Sequence, residues 1–364
     1  MGVQAIDEHT RAADHRPALT QHAARSHPCT RRVARSRHPA GLFDHAQNAL
    51  QGRYLRPWTQ TGQHGVTIFF VLSGFLITSK LLESSSLKRF YMHRLFRLMP
   101  AAWTYLAVLL FTDRVEHLQF TSLSEVTASV LFYRNFYFGT GGAGHFWLLS
   151  LEEQFYLVWP CVLLLAGIRR CRWIAVVGAL SVALYRWLFW ARYNANLVNG
   201  QTHVRADALL VGCLLALLLA SPAIRSAATR WSKFWMLPAL ATLLFCMAHF
   251  HWLPPLSESL AIAGLTAASV LHPDSILSRP LNRAALAWLG TVSYSIYIWQ
   301  QSFSGHRSAG SALLLLGVAT PVCALGSYYY IEQPMIRLGR SLTGSRTSHS
   351  DRLARRLEPS TTPT

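Results

Sequence analysis

The chain has 364 residues, 51% of them hydrophobic and only 14% charged, whereas a soluble domain carries about 25% charged residues. That composition excludes an ordinary water-soluble domain and points to a membrane protein. The formal charge of +18 falls between long apolar runs and at the two ends, which argues against one nucleic-acid-binding patch and fits loops facing an anionic leaflet.

Only three of the 34 basic residues are lysine, read here as a coding bias rather than a functional one. The six cysteines are scattered without CxxC or metal-ligand spacing, so neither a disulfide framework nor a metal site is expected.

Residues 1–62 form an Arg/His-rich arm, expected to be disordered or mis-called, with nine arginines and six histidines in its first 60 residues and no signal-peptide pattern. From there on, nine segments are long and apolar enough to be spans: about 65–82, 98–112, 146–167, 173–191, 206–221, 234–250, 256–272, 285–303 and 311–331. The expected fold is therefore an all-α polytopic bundle of about nine helices occupying residues 63–338. Segment 123–138 holds Glu125, Arg134 and Asn135 and reads as an interfacial or re-entrant piece.

Basic loops at 83–97, 169–172, 222–233 and 273–284, with the tail from Arg337, all fall on one side, the cytoplasmic one, together with the C-terminus. Residues 339–364 are expected to be a disordered cytoplasmic tail. An odd number of spans places the basic arm outside, against the positive-inside rule. Two readings follow: an exported arm, or a mis-started or frame-shifted N-terminus that lacks one helix.

The chemistry concentrates in a few stretches. In "HFWLLSLEEQFYLVWP", 145–160, Glu152 lies seven residues after His145, about 10 Å along a helix and on nearly the same face. A carboxylate near a bilayer centre costs on the order of 3 kcal/mol, so such groups face a bundle interior or a wet site; the adjacent Glu153 reads as a structural partner. In "KRFYMHRLFRLMP", 88–100, Arg94 and Arg97 lie three apart on one helix face. Two guanidiniums so placed suit a phosphate-bearing ligand, or else ordinary anchoring at the membrane surface. Ser73 and Gly74 in "GVTIFFVLSGFLI" read as close packing, and Arg205 and Asp207 in "THVRADALLVG" as either caps or site residues.

The blocks "GVTIFFVLSGFLIT", "FYMHRLFRLMP", "HFWLLSLEEQFYLVWP", "HVRADALLVG", "LGTVSYSIYIWQ" and "YYYIEQP" resemble, in order and approximate spacing, the integral-membrane acyltransferase 3 family over residues 65–338. The resemblance implies an O-acyltransferase in the cell membrane. Such an enzyme takes an acyl group, often acetyl, from acetyl-CoA or another acyl-CoA on the cytoplasmic side. It delivers the group to a hydroxyl of a carbohydrate or lipid-linked glycan, with no permanently bound cofactor and no nucleic acid partner.

Carried over by motif, Arg94 and Arg97 correspond to arginines associated with the acyl donor, and Glu152 and His145 to catalytic residues. Arg205, Asp207 and Gln300 are weaker candidates for the substrate cavity. Leu148 stands where the family has serine and Gln300 where it commonly has histidine. The family's first helix, with its histidine, is not recognisable: His38 and His45 lie upstream without an apolar span before them. Two rival readings use the same residues, a glycan or lipid-linked sugar transporter and an inactive acyltransferase remnant.

Overall fold

The structure is a computed structural model describing residues 56–83, 86–115, 121–137, 141–192, 201–248, 255–275, 278–279, 283–304 and 318–343. His38 and His45 lie outside these residues. Every described regular element is helical: α1 Arg56–Glu83, α2 Leu87–Val115, α3 Leu123–Val130, a 3-10 turn Arg134–Phe136, α4 Phe146–Arg192, α5 Thr202–Leu219, α6 Pro222–Ala248, α7 Pro255–Leu271 and α8 Ala284–Trp299. One turn, Gln301–Ser304, follows, and then α9 Thr320–Ser327, a π-helical segment Tyr328–Glu332 and α10 Gln333–Leu342.

Among the described residues, three stretches are long and apolar enough to cross a membrane: His64–Glu83, Leu87–Val115 and Thr202–Leu219. Phe234–Met247 and Leu256–Leu271 are shorter apolar helices. Large apolar side chains also face outward. Leu157, Val158, Leu164, Leu165, Val177, Leu180 and Trp187 of α4 are all more than half exposed. A monomer in water rarely shows so continuous an apolar face, whereas lipid covers it without cost.

Two expected boundaries move. α1 begins at Arg56, so the last residues of the expected arm are helical backbone. The expected spans 146–167 and 173–191 are one helical run broken at Gly167, whose φ of 73° and ψ of 166° leave the helical region. Such a φ is accessible to glycine because it has no Cβ. The "RRCR" stretch after it is therefore helix rather than loop, and Arg172 donates from Nε and Nη2 to the Leu217 carbonyl at the end of α5 at 3.2 and 2.9 Å. A cation there meets the unpaired carbonyls of a helix C-terminus.

Segment 123–138 does not cross: α3 has eight residues, roughly 12 Å of helix against about 30 Å of hydrocarbon. Its two charges meet each other, Arg134 Nη2 lying 2.9 Å from Glu125 Oε1, and the Arg134 amide donates to Ser150 Oγ of α4 at 3.2 Å.

The core lies where α1, α4, α5 and α7 meet, around Phe70, Val71, Leu151, Leu209, Cys213 and Leu217. α1 and α5 touch backbone to backbone. A Cβ on Gly74 would lie 2.0 Å from the Leu209 carbonyl oxygen, and one on Gly212 would lie 2.0 Å from that of Val71. Small residues permit this approach between membrane helices. Because the obstacle is backbone, Gly212→Ala costs more than the ~1–3 kcal/mol of ordinary overpacking; the expected result is a clear drop in the unfolding temperature of detergent-purified protein, with Gly290→Ala, where nothing lies within 4 Å, as the silent control.

Candidate functional site

Glu152 sits on the face of α4 that meets α1 and α2, and 5% of its surface is exposed. Its Oε1 accepts from Ser73 Oγ of α1 at 2.7 Å and from Tyr156 Oη one turn on at 2.5 Å, and Arg94 Nη2 of α2 lies 3.6 Å away. Arg94 bonds Glu153 more closely, through Nε at 3.0 Å and Nη2 at 2.8 Å, and its guanidinium lies 3.3 Å from the centre of the Tyr156 ring. One cation thus faces two carboxylates, Glu152 buried and Glu153 half-buried.

The two arginines of α2 therefore part company. Arg94 is half-buried and turned onto acids, while Arg97 is exposed and its charge acts on Glu332 of the π-helical segment. Glu332 is buried and accepts from Ser295 Oγ of α8. Lys88, Arg89 and His93 of α2 and Arg340 of α10 are exposed as well. The two helices are joined by a His93 Nε2 to Thr343 Oγ1 hydrogen bond of 2.9 Å and by the close fit of Gly339 against Phe96. A basic patch results at this end of α2.

His145 precedes α4 and lies in an aromatic box, with Tyr105, Phe146 and Tyr297 rings at 5.2, 4.9 and 5.4 Å. The Tyr297 hydroxyl donates to the His145 carbonyl oxygen. Neither ring nitrogen of His145 has a hydrogen-bond partner, although the Ile298 backbone of α8 is close enough to interact with the ring. No hydrogen bond joins His145 to Glu152, although the Tyr297 hydroxyl that holds the His145 carbonyl also feels the Glu152 charge.

Asp207, with no exposed surface, is clamped by Arg186 of α4, Nη2 to Oδ2 at 2.9 Å and Nη1 to Oδ1 at 3.4 Å. The N-cap of α5 is Gln201 and makes no side-chain capping bond, so Asp207 serves as an ion-pair partner and not as a cap. Arg205 is buried beside Arg186, Asp207 and Glu258. Glu258, in the first turn of α7, receives the imidazole of His64 from α1, Nδ1 to Oε1 at 2.8 Å. Gln300 closes the end of α8, and no hydrogen bond or ion pair among the described residues joins it to Arg205 or Asp207. A ring of amide and hydroxyl bonds ties α4 and α5 to the piece before them: Gln154 to Asn135 at 2.9 Å, Asn135 to Thr202 at 2.8 Å and Thr202 to Gln154 at 2.6 Å.

Sequence reasoning found Glu152, Arg94 and Asp207 but missed their partners. Ser73 read as packing, and Arg186, Tyr156 and Tyr297 were not singled out. His64 lay one residue before the first apolar block and Glu258 at a helix start, where an acid is ordinarily a dipole partner. A histidine against an apolar run was the one usable signal.

A family described as "Acyltransferase domain" matches residues 38–332. The chain belongs to that family. The acyltransferase match starts upstream of the "GVTIFF" block at residue 65. Among curated relatives, the chain is 31% identical over 326 residues to the peptidoglycan O-acetyltransferase OatA of Listeria monocytogenes serovar 1/2a, covering 78% of this chain and 52% of that protein. It is 29% identical over 326 residues to "Putative peptidoglycan O-acetyltransferase YrhL" of Bacillus subtilis, covering 76% and 51%. The chain thus spans about half the length of the curated relatives it matches, and no solved structure matches it.

The buried Arg186–Asp207 pair gives a direct test of how acyltransferase helices α4 and α5 are held. Arg186→Ala strands Asp207 and lowers stability by about 3–5 kcal/mol, whereas replacing both residues with apolar ones of similar size recovers most of the loss. Thermal unfolding of the single and double variants in detergent measures the difference.

Proposed function

We propose that this chain is an integral-membrane O-acyltransferase that moves an acetyl group from a cytoplasmic acyl-CoA to a hydroxyl of a carbohydrate, peptidoglycan being the class its relatives' names favour. The observation that carries the reading is the Glu152 centre. It is a carboxylate inside an apolar bundle, held by Ser73, Tyr156 and Arg94, in a chain of the acyltransferase family. The fold reading that goes with it is a multi-pass bundle of about nine spans with its C-terminus in the cytoplasm.

On this reading the acyl-CoA is a co-substrate and not a resident group. Its phosphates meet the basic patch formed by Arg97, Lys88, Arg89 and Arg340, because exposed guanidiniums form paired bonds to phosphate oxygens. Arg94, already bound to two acids, acts differently: it fixes Glu152 and Glu153 and sets the charge of the centre. Glu152 orients the reactants where the acyl group passes, and the Tyr297 hydroxyl holds the His145 backbone carbonyl. Arg205 and Asp207 border the acceptor side, and His145 and Gln300 lie at the α8 end of the site. Attack on the thioester carbonyl needs a base for the acceptor proton and hydrogen-bond donors for the developing oxyanion, and the buried hydroxyls are suited to the second task.

The test is transfer of label from acetyl-CoA to isolated peptidoglycan by the full chain in proteoliposomes. Covalent label on the glycan is the expected result, and movement of glycan across the membrane without label would overturn the reading in favour of a transporter. Glu152→Gln lowers the rate by about 100-fold or more, the lower range for a group handling protons in the transition state. Arg97→Ala and Arg340→Ala raise the KM for acetyl-CoA with little change in kcat, as loss of uniform binding does, and the effect fades when dephospho-CoA thioester is the acyl donor.

A further inference from the structure

We infer that Tyr91 of α2 is a positioning residue for the Glu152 centre, holding the turn of α4 that Pro160 leaves short of a backbone donor. The inference rests on the role given to Glu152 above and names a residue that acts on it only through the backbone.

Pro160 lies inside α4. Proline has no amide hydrogen, so the carbonyl four residues earlier, that of Tyr156, lacks its helical donor, and the proline ring pushes against that carbonyl and bends the helix. Inside an apolar bundle a carbonyl left in this way is costly unless another group reaches it. The Tyr91 hydroxyl does so. Its one proton is shared between the carbonyl oxygens of Tyr156 at 3.2 Å and Leu157 at 3.1 Å. The Leu157 oxygen also receives the Cys161 thiol at 3.6 Å, a weak donor.

The same turn carries the Glu152 centre. Tyr91 and Arg94 lie three apart on α2 and so share a face, and both land on residues 152–157 of α4. Tyr91 takes the backbone there, while Arg94 takes the side chains: its Nε donates to Glu153 Oε1 at 3.0 Å, and its guanidinium lies 3.3 Å from the centre of the Tyr156 ring. Tyr156 is the joint between them. Its carbonyl is held by Tyr91, its ring meets Arg94, and its hydroxyl donates to Glu152 Oε1 at 2.5 Å.

A helix bent at a proline has lost one of the bonds that fix the turn before the bend relative to the turn after it. With the freed carbonyl tied to α2, that turn keeps one rotation relative to Arg94. Arg94 Nη2 then sits 2.8 Å from Glu153 and 3.6 Å from Glu152, which leaves Glu152 Oε1 to the hydroxyls of Ser73 and Tyr156. Loss of the Tyr91 hydroxyl shifts this turn and leaves the bundle folded, because α4 is also held to α5 by the Arg186–Asp207 pair and to α1 by Trp159 Nε1 donating to Thr78 Oγ1 at 2.9 Å.

The experiment uses the full chain in proteoliposomes and follows labelled acetyl from acetyl-CoA to peptidoglycan, with rates expressed per folded molecule. Tyr91→Phe, which removes one oxygen, is expected to lower kcat by about tenfold, less than the ~100-fold that a misplacement of about 1 Å costs, and to leave the KM for acetyl-CoA within about twofold. Pro160→Ala supplies the missing amide hydrogen to the Tyr156 carbonyl. In that background Tyr91→Phe is expected to change kcat by less than about twofold, a coupling between two positions that a general loss of packing would not show. An equal fall in both backgrounds, or a folded Tyr91→Phe within about twofold of wild type, overturns the inference. If Tyr91→Phe alone does not fold, the double variant decides: recovery of folding and rate supports the inference, and no recovery overturns it. If Pro160→Ala does not fold, the single variant decides: a fall in kcat at unchanged KM supports it, and a fall carried by KM overturns it. A wild-type chain that labels no peptidoglycan, or a Glu152→Gln variant at full rate, overturns the reading of Glu152 itself, and the role of Tyr91 with it.

Discussion

A charge carried into an apolar helix bundle has to be met there by an opposite charge, because the desolvation penalty amounts to several kcal/mol per ion, and this requirement decides which helices of the chain touch. Arg94 ties α2 to Glu152 and Glu153 of α4. Arg186 ties α4 to Asp207 of α5, His64 ties α1 to Glu258 of α7, and Arg134 folds the short segment back on Glu125. Apolar contacts between such helices are interchangeable over a turn or more, since one leucine resembles the next. A buried ion pair has one correct partner, and so it sets register.

The polar residues are also sorted along the bundle. The exposed cations of α2 and α10 stand near the start of α2, Glu152 lies within α4, and Arg205 and Glu258 lie in the first turns of α5 and α7. The π-helical turn Tyr328–Glu332 fits the same economy, since an extra residue in a turn shifts the side chains that follow and here Glu332 is buried against Ser295 of α8.

Much of this was legible in the sequence. Where they are described, the apolar runs are helical, and the segment marked by the charges at Glu125 and Arg134 holds only a short helix. Glu152 stood out because a carboxylate amid leucines and aromatics is costly unless something meets it. What stayed hidden has one character. The partner of Asp207 is 21 residues away, that of Glu152 is 79 and that of His64 is 194, and nothing local in a one-dimensional pattern selects among distant candidates. The break at Gly167 was hidden for a related reason. A glycine within an apolar run reads the same whether it permits close packing, as Gly74 does, or a left-handed kink.

Composition and periodicity alone determined that the chain is a membrane-type helical protein and where its apolar segments lie, since burial in lipid leaves its mark residue by residue; the likeness to the acyltransferases came from the resemblance of its motif blocks. Tertiary structure decided that Arg94 faces acids while Arg97 faces outward, that Asp207 is an ion-pair partner and not a cap, and that a histidine at the edge of the first apolar run finds a glutamate from the far end of the chain. Those outcomes depend on helix rotation and crossing, which are set by the summed packing of many neighbours and by the few buried charges that admit a single solution.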